Sequence, residues 1–156
     1  MGYDVYGNGE RLSINIFWMS HFRSLMERLG MLDLEATTPD GWEPPEAWWG
    51  LPKEHPNYRR QCRLEDQSCL GPLIPLYKLS SNDFWLVSPA EITTALEALG
   101  RFPEAQVRFA MTWVVHGQEE LFRTHATPTS LLTFQDLWGE WIAFLYATAP
   151  VGFRVG

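Results

Sequence analysis

Tryptophan is concentrated in one short proline-rich stretch of this chain. Three of its eight tryptophans, Trp42, Trp48 and Trp49, lie within residues 40–52, where the sequence has neither helical nor strand periodicity. An indole ring buries a large apolar area at a small entropy cost and keeps one N–H donor, so tryptophan is common at the energetic centres of interfaces. The same properties suit a protein core. The pattern predicts a binding surface here, with core packing as the alternative.

The residues that follow form the only locally basic stretch of the chain. Guanidinium groups beside aromatic rings suit carboxylates, phosphates or nucleobases, through paired hydrogen bonds and stacking. The alternative is that the arginines form ion pairs with the nearby acidic residues Glu54, Glu65 and Asp66 and hold the segment on the domain. The binding candidates of this stretch are His55, Tyr58, Arg59, Arg60 and Arg63.

The cluster most typical of an enzyme is formed by His116, Glu119, Arg123 and His125. Histidine beside carboxylate is the usual arrangement for proton transfer or metal ligation. A zinc protease helix needs two histidines four residues apart, however, and here the second follows after nine. The sequence also lacks the motifs of serine hydrolases, phosphate-binding loops and dinucleotide-binding folds. We therefore predict no catalytic residue and interpret the cluster as a solvated helix end.

The remaining histidine and cysteine candidates favour a structural interpretation. Cys62 and Cys69 are separated by six intervening residues, and with His55 they supply only three of the four ligands of a structural zinc site. Free thiols are expected, with a single local disulfide as the alternative. His21 lies on the apolar face of a predicted helix, where a hydrogen-bonded core histidine is expected. We therefore predict neither a metal nor a cofactor.

Composition and charge restrict the partners that this protein can have. The chain has 156 residues, enough for one well-buried core, and carries a formal net charge of −7. Such a charge opposes non-specific binding to nucleic acid. The longest uncharged apolar run, residues 141–153, is too short to span a bilayer, so no membrane partner is expected. The acidic, mixed opening does not resemble a secretory signal, which favours a cytoplasmic location.

Hydrophobic periodicity predicts strands and helices at both ends of the chain. An Asn-Gly pair after the first strand indicates a tight turn. Ser13 is the expected cap of the first helix, with Gly30 after its end, and Ser88 with Glu91 forms a capping box. The predicted strands are 3–6, 84–87 and 152–155, and the predicted helices are 13–29, 89–99, 103–121 and 133–149.

Residues 31–80 contain seven of the eleven prolines, and no regular element of useful length is expected there. Irregular segments this long are either functional or disordered. We expect this one to be ordered and to hold the functional surface. The predicted fold is therefore α+β: one domain, residues 1–156, with about four helices on a small sheet and a long irregular Pro/Trp-rich loop.

Three short motifs carry a resemblance to a known group of proteins. Residues 1–7, Met-Gly-Tyr-Asp-Val-Tyr-Gly, together with Asn-Ile-Phe-Trp at 15–18 and Gly-Phe-Arg-Val at 152–155, resemble small uncharacterised proteins of bacteria and their phages. The resemblance covers about the first thirty residues and the last dozen. It implies no activity and no functional residue, but it favours an accessory protein of a phage or mobile element.

Three functions remain open from the sequence. The first is a non-catalytic binding protein that contacts a protein partner, a host protein if the phage resemblance holds, through residues 41–63. The second is a small enzyme or a binder of an anionic or nucleotide-like ligand, in which the loop arginines hold the anion and His55 or His116 moves protons. The third is a homodimer whose seam is formed by the tryptophans.

Overall fold

A computed structural model describes residues 2–121 and 130–156, without the side chains of residues 118–121 and 130. The fold is α+β, as predicted, with five α-helices where about four were expected. Single 3₁₀ turns lie at Pro45–Ala47 and Leu76–Leu79. The strands are β1 (Gly2–Gly7), β2 (Glu10–Asn15), β3 (Leu32–Asp33), β4 (Ile74–Pro75), β5 (Leu86–Val87) and β6 (Phe153–Val155). The helices are α1 (Ile16–Arg28), α2 (Pro56–Ser68), α3 (Pro89–Gly100), α4 (Glu104–Leu121) and α5 (Ser130–Thr148).

Four strands form an antiparallel sheet in the order β2-β1-β6-β5. β1 and β2 form a hairpin whose turn residues, Asn8 and Gly9, both have positive φ, 51° and 77°. This turn matches the right-handed twist of the two strands and confirms the predicted turn at the Asn-Gly pair. β6 lies between β1 and β5, so the strand predicted at 152–155 pairs with both of its candidate partners. A separate parallel pair joins β3 to β4.

The first helix begins later than the sequence pattern indicates. Residues 10–15 pair with β1 over their whole length, and the predicted cap Ser13 instead donates a hydrogen bond to Asp4 Oδ1. The cap is Asn15, whose Oδ1 accepts the backbone N–H of Trp18 at 2.8 Å. Pairing with a neighbouring strand has therefore overridden the local helix signal. The helix ends as predicted, because Gly30 follows it with a φ of 68°.

The capping box of α3 is present, with Ser88 and Glu91 each accepting the other's backbone N–H. α4 begins directly after Pro103, as predicted, whereas α5 begins three residues before its expected cap, Thr133. The main departure from the predicted fold is α2, a 13-residue helix inside the segment expected to be irregular. The prediction of one domain spanning residues 1–156 stays a prediction.

The hydrophobic core lies between one face of the sheet and helices α1, α3, α4 and α5. Tyr3 and Val5 of β1 are buried on this face together with Phe153 and Val155 of β6, as the alternation of a strand requires. Stacked and edge-to-face aromatic rings continue the core away from the sheet. These rings belong to Phe22, Phe134, Trp138, Trp141 and Phe144.

The opposite face of the sheet is covered at β5 and β6 by a second layer. Arg154 of β6 lies on this face, where it forms an ion pair with Glu65 of α2 and holds its guanidinium over the ring of Trp49. The tryptophan-rich segment and α2 thus pack outside the sheet, on the side away from the main core. This layer contains most of the residues that the sequence marks as binding candidates.

A fully buried ion pair joins this outer layer to the main core. Lys78 Nζ donates to both carboxylate oxygens of Glu91, at 2.8 and 3.1 Å, and to the carbonyl oxygen of Leu86 at 2.8 Å. The Sγ of Cys69, the residue after α2, lies 3.4 Å from the same nitrogen. The side chains of Lys78 and Glu91 are 0% and 1% exposed. One ammonium group therefore connects the end of α2, β5 and the first turn of α3.

We expect neutralisation of only one partner of this pair to be costly. Glu91→Gln keeps an oxygen for the capping hydrogen bond but leaves the ammonium of Lys78 buried without a counter-charge, which should lower the free energy of unfolding by about 3–5 kcal/mol. The double variant Lys78→Met/Glu91→Gln removes both charges and should recover at least half of that loss. Urea denaturation measures both values. A loss in E91Q below about 1 kcal/mol would contradict the prediction.

Candidate functional site

The tryptophan-rich segment is fastened to α2 by a buried glutamine. The side chain of Gln61 is fully buried; its Oε1 accepts the backbone N–H of Glu43 and its Nε2 donates to the carbonyl oxygen of Gly41, both at 2.9 Å. An amide side chain offers the same donor and acceptor as a peptide group. It can therefore pair with the backbone N–H and C=O groups of an irregular segment that has no strand beside it. This fixes the position of residues 41–43 relative to the helix.

Two of the three predicted binding tryptophans are packing residues. Trp42 is half-buried and stacks on Trp85, with 4.2 Å between ring centroids, and its Nε1 donates to the carbonyl oxygen of Asp83. Trp48 is 2% exposed, meets Tyr58 edge to face and donates from Nε1 to the carbonyl oxygen of Glu43. The prediction of Trp48 as a contact residue is therefore corrected, because its ring has no free surface.

Trp49 is the tryptophan of this segment that presents its ring to solvent. Its exposed fraction is 51%, and the guanidinium carbon of Arg154 lies 4.9 Å from the ring centroid. Arg154 is itself held by the carboxylate of Glu65 and by the carbonyl oxygen of Phe84, at 2.8 Å from the latter. A ring supported by a fixed cation loses little freedom when a partner covers its open side.

Of the five remaining candidates, four belong to α2 and His55 directly precedes it. Pro56 occupies the first turn of the helix, where its missing N–H costs nothing, so this proline begins a helix rather than breaking one. His55 is the cap, because its Nδ1 accepts the backbone N–H of Asn57 at 3.1 Å. Tyr58 is half-buried against Trp48. His55 and Tyr58 therefore have structural roles.

The three arginines of α2, in contrast, are exposed on its outer face. Arg60 donates to the side-chain oxygen of Asn57 at 3.1 Å. Within the described part of the chain, neither Arg59 nor Arg63 forms an ion pair. The predicted alternative, in which neighbouring acids neutralise these arginines, is wrong for Glu65, which binds Arg154 instead. The positive charges of Arg59 and Arg63, four residues apart, face solvent together.

Among the described residues, the histidines and cysteines do not come together into a metal-binding cluster. His116 lies on α4, whereas Arg123, His125 and the side chain of Glu119 lie outside the described residues. Among the residues that are described, no three or more His, Cys, Asp or Glu side chains form a group that could hold a metal ion. Both cysteines are free, and burial raises the pKa of the Cys69 thiol.

His21 has the structural role that its position predicts. It is buried, and its Nδ1–H donates to the carbonyl oxygen of Phe17 at 2.8 Å. Burial lowers the pKa of the imidazole, since the charged form loses its hydration there.

Three cavities lie elsewhere on the surface. An apolar groove of about 480 Å³ runs between α4 and α5, a polar cleft of about 540 Å³ lies beside residues 33–40, and a smaller hollow of about 350 Å³ lies where β2, α1 and α5 meet. The arginines of α2, His55 and His116 line none of these three. These anion-binding candidates are all exposed side chains.

Comparison with protein-family models, with curated proteins and with solved structures finds no match to this chain. Across residues 2–121 and 130–156, no helix combines the length and the apolar character needed to cross a membrane.

Sequence reasoning missed three residues on which this layer depends: Gln61, Trp85 and Arg154. The alternation of β6 carried a usable signal, since it places Arg154 on the face opposite Phe153 and Val155. Trp85 lies within the predicted strand 84–87, but its stacking with Trp42 depends on tertiary structure. Nothing in the sequence distinguishes Gln61 from an exposed glutamine of a polar helix.

The neighbouring tryptophans Trp48 and Trp49 should differ sharply in their effect on stability. Trp48→Ala removes a buried ring with its hydrogen bond and should lower the free energy of unfolding by about 3–5 kcal/mol. Trp49→Ala removes a half-exposed ring and one cation–π contact and should cost under about 1 kcal/mol. Urea denaturation of the two variants measures the difference. Equal losses would show that the assignment of one ring to the core and one to the surface is wrong.

Proposed function

We propose that this protein is a non-catalytic binding protein that recognises a protein partner through Trp49 and the exposed arginines of α2. The proposal is supported mainly by one observation: the open ring of Trp49, held by Arg154, belongs to the same outer layer as the exposed arginines of α2, which form no ion pair with any described residue. Tryptophan and arginine are the residue types most enriched at interface hot spots. The resemblance at the two ends of the chain favours an accessory role in a phage or mobile element, and with it a host protein as the partner.

Two contacts connect Trp49 to α2. On one side the ring of Trp48 lies between Trp49 and Tyr58, with centroid distances of 6.1 and 5.4 Å. On the other side Arg154 lies between Trp49 and Glu65. Trp49 is therefore connected to α2 through the inner residues Tyr58 and Glu65, and the arginines lie on the outer face of the same helix.

The charges on this surface favour a particular kind of partner. The chain as a whole carries a net charge of −7, and Arg59, Arg60 and Arg63 form a local exception to it. Guanidinium groups bind carboxylates through paired hydrogen bonds, and a tryptophan ring needs an apolar neighbour. The expected partner surface combines an apolar residue opposite Trp49 with acidic residues opposite the arginines.

The anionic-ligand alternative has less support. A small ligand is normally enclosed in a cavity that buries most of its surface, whereas the arginines of α2 project from the outside of a helix and line none of the three cavities. An exposed face of this kind suits the broad surface of a macromolecule. This consideration also weighs against His55 or His116 as a proton-transfer residue for such a ligand.

The proposal predicts that Trp49→Ala weakens binding to the partner at least about tenfold, as expected for a hot-spot ring. The experiment compares proteins captured from a host lysate by wild type and variants, followed by affinity measurements on the purified partner. Trp113→Ala is the matched control, because Trp113 is 54% exposed and also has an arginine, Arg28, over its ring at 5.2 Å.

The double variant Arg59→Gln/Arg63→Gln measures the contribution of the arginine charges to binding separately from that of the Trp49 ring. It should slow association and reduce its salt dependence, since rim charges act mainly on the association rate. A partner that binds wild type and Trp49→Ala equally would refute the proposal. The same conclusion would follow from a partner that is lost on Trp113→Ala but retained on Trp49→Ala.

A further inference from the structure

A polar cleft of about 540 Å³ lies on another part of the surface, between residues 33–40, the end of α2 and the 3₁₀ turn at Leu76–Leu79. Its volume is in the range of small-molecule sites. The polar side chains that line it are two carboxylates, four hydroxyls and one amide, and no lysine, arginine or histidine is among the lining residues. They belong to Asp33, Asp40, Thr37, Thr38, Ser68, Tyr77 and Gln67.

One oxygen atom in this cleft is held in place and left open. Asp33 Oδ1 accepts the backbone N–H groups of Glu35 and Ala36, at 3.0 and 3.1 Å, and so fixes the turn that begins the cleft wall. Asp33 Oδ2 forms no hydrogen bond with any described residue. It faces Gly71, where a Cβ atom would lie 3.7 Å from it. The missing side chain at residue 71 leaves space in front of this oxygen.

The neighbouring groups leave the negative charge of the two carboxylates uncompensated. Burial raises the pKa of Tyr77 to about 12, with Glu91 as the next cause, so its hydroxyl stays protonated and its ring is neutral. The ammonium of Lys78, the next residue, is fully buried and neutralised by Glu91. An aromatic ring next to carboxylates is a favourable environment for an ammonium group. Hydroxyl and amide side chains match the hydroxyl groups of a ligand.

We propose that this cleft binds a small hydroxylated amine of the amino-sugar class, whose ammonium is held by Asp33 and whose hydroxyls bind Thr37, Thr38 and Ser68. Asp40 strengthens the attraction for the cation. An uncharged sugar makes the same hydroxyl contacts without the ion pair and binds more weakly. A sugar acid is repelled by both carboxylates. This site shares no residue with the proposed protein-binding surface, and its test is independent of that proposal.

The test titrates the protein with glucosamine, glucose and glucuronate below about pH 7, where the amine of glucosamine is protonated. Backbone amide shifts of residues 33–40 and 67–77 report binding in the cleft. Glucosamine should saturate these shifts with an affinity at least about tenfold higher than that of glucose, and glucuronate should cause none. Equal affinities for glucosamine and glucose, or shifts confined to other residues, would overturn the proposal.

Two variants test the geometry without disturbing the fold. Asp33→Asn keeps an oxygen for the two turn hydrogen bonds and replaces the open oxygen by an NH₂ group, so glucosamine affinity should fall to that of glucose. Gly71→Leu places a side chain in the cleft at a position where only Asp33 Oδ2 lies within 4 Å, and it should abolish binding. Asp136→Asn on α5 is the matched charge control. Unchanged affinity in Asp33→Asn or in Gly71→Leu would overturn the proposal.

Discussion

The buried contact between Lys78 and Glu91 joins the outer layer of this protein to its main core. A lysine removed from water is tolerated only if its charge and its three donors are satisfied, and here Glu91, the carbonyl of Leu86 and the thiol of Cys69 surround the ammonium. Those partners come from α3, β5 and the residue after α2. These contacts hold the end of α2 against β5 and the first turn of α3.

This constraint explains how a proline-rich segment of low hydrophobicity can be ordered. α2 has a strongly polar composition and packs through Gln61 and Tyr58 more than through aliphatic residues. Its order derives from specific polar contacts: the glutamine holds residues 41–43, and Glu65 binds Arg154 of the sheet. The tryptophans then fill the space between helix and sheet. A layer built in this way has a defined surface, which is what a binding site requires.

Local signals predicted the parts of the fold whose causes are local. The Asn-Gly turn, the capping box at Ser88 and the alternation of residues 152–155 each specify a backbone geometry within a few residues, and all three are present. Signals that depend on distant partners failed. Ser13 was an acceptable helix cap, but β1 competes for its backbone, and Pro56 was counted as a breaker although it begins a helix. The contact between Lys78 and Glu91 joins residues thirteen positions apart, and no pattern indicates it.

In the candidate surface, too, sequence could not separate features that depend on tertiary contacts, and two adjacent residues show this. Trp48 and Trp49 are identical in type and adjacent in sequence, so composition assigns them equal weight as contact residues. The 3₁₀ turn at Pro45–Ala47 makes them diverge. The carbonyl oxygen of Pro45, its first residue, accepts the N–H groups of both tryptophans, and Trp48 packs inward against Tyr58 while Trp49 lies over Arg154. Burial of the first ring holds the backbone that presents the second. A tryptophan cluster can therefore form core and contact surface at once, because rings fixed in the core reduce the entropy that the exposed ring loses on binding.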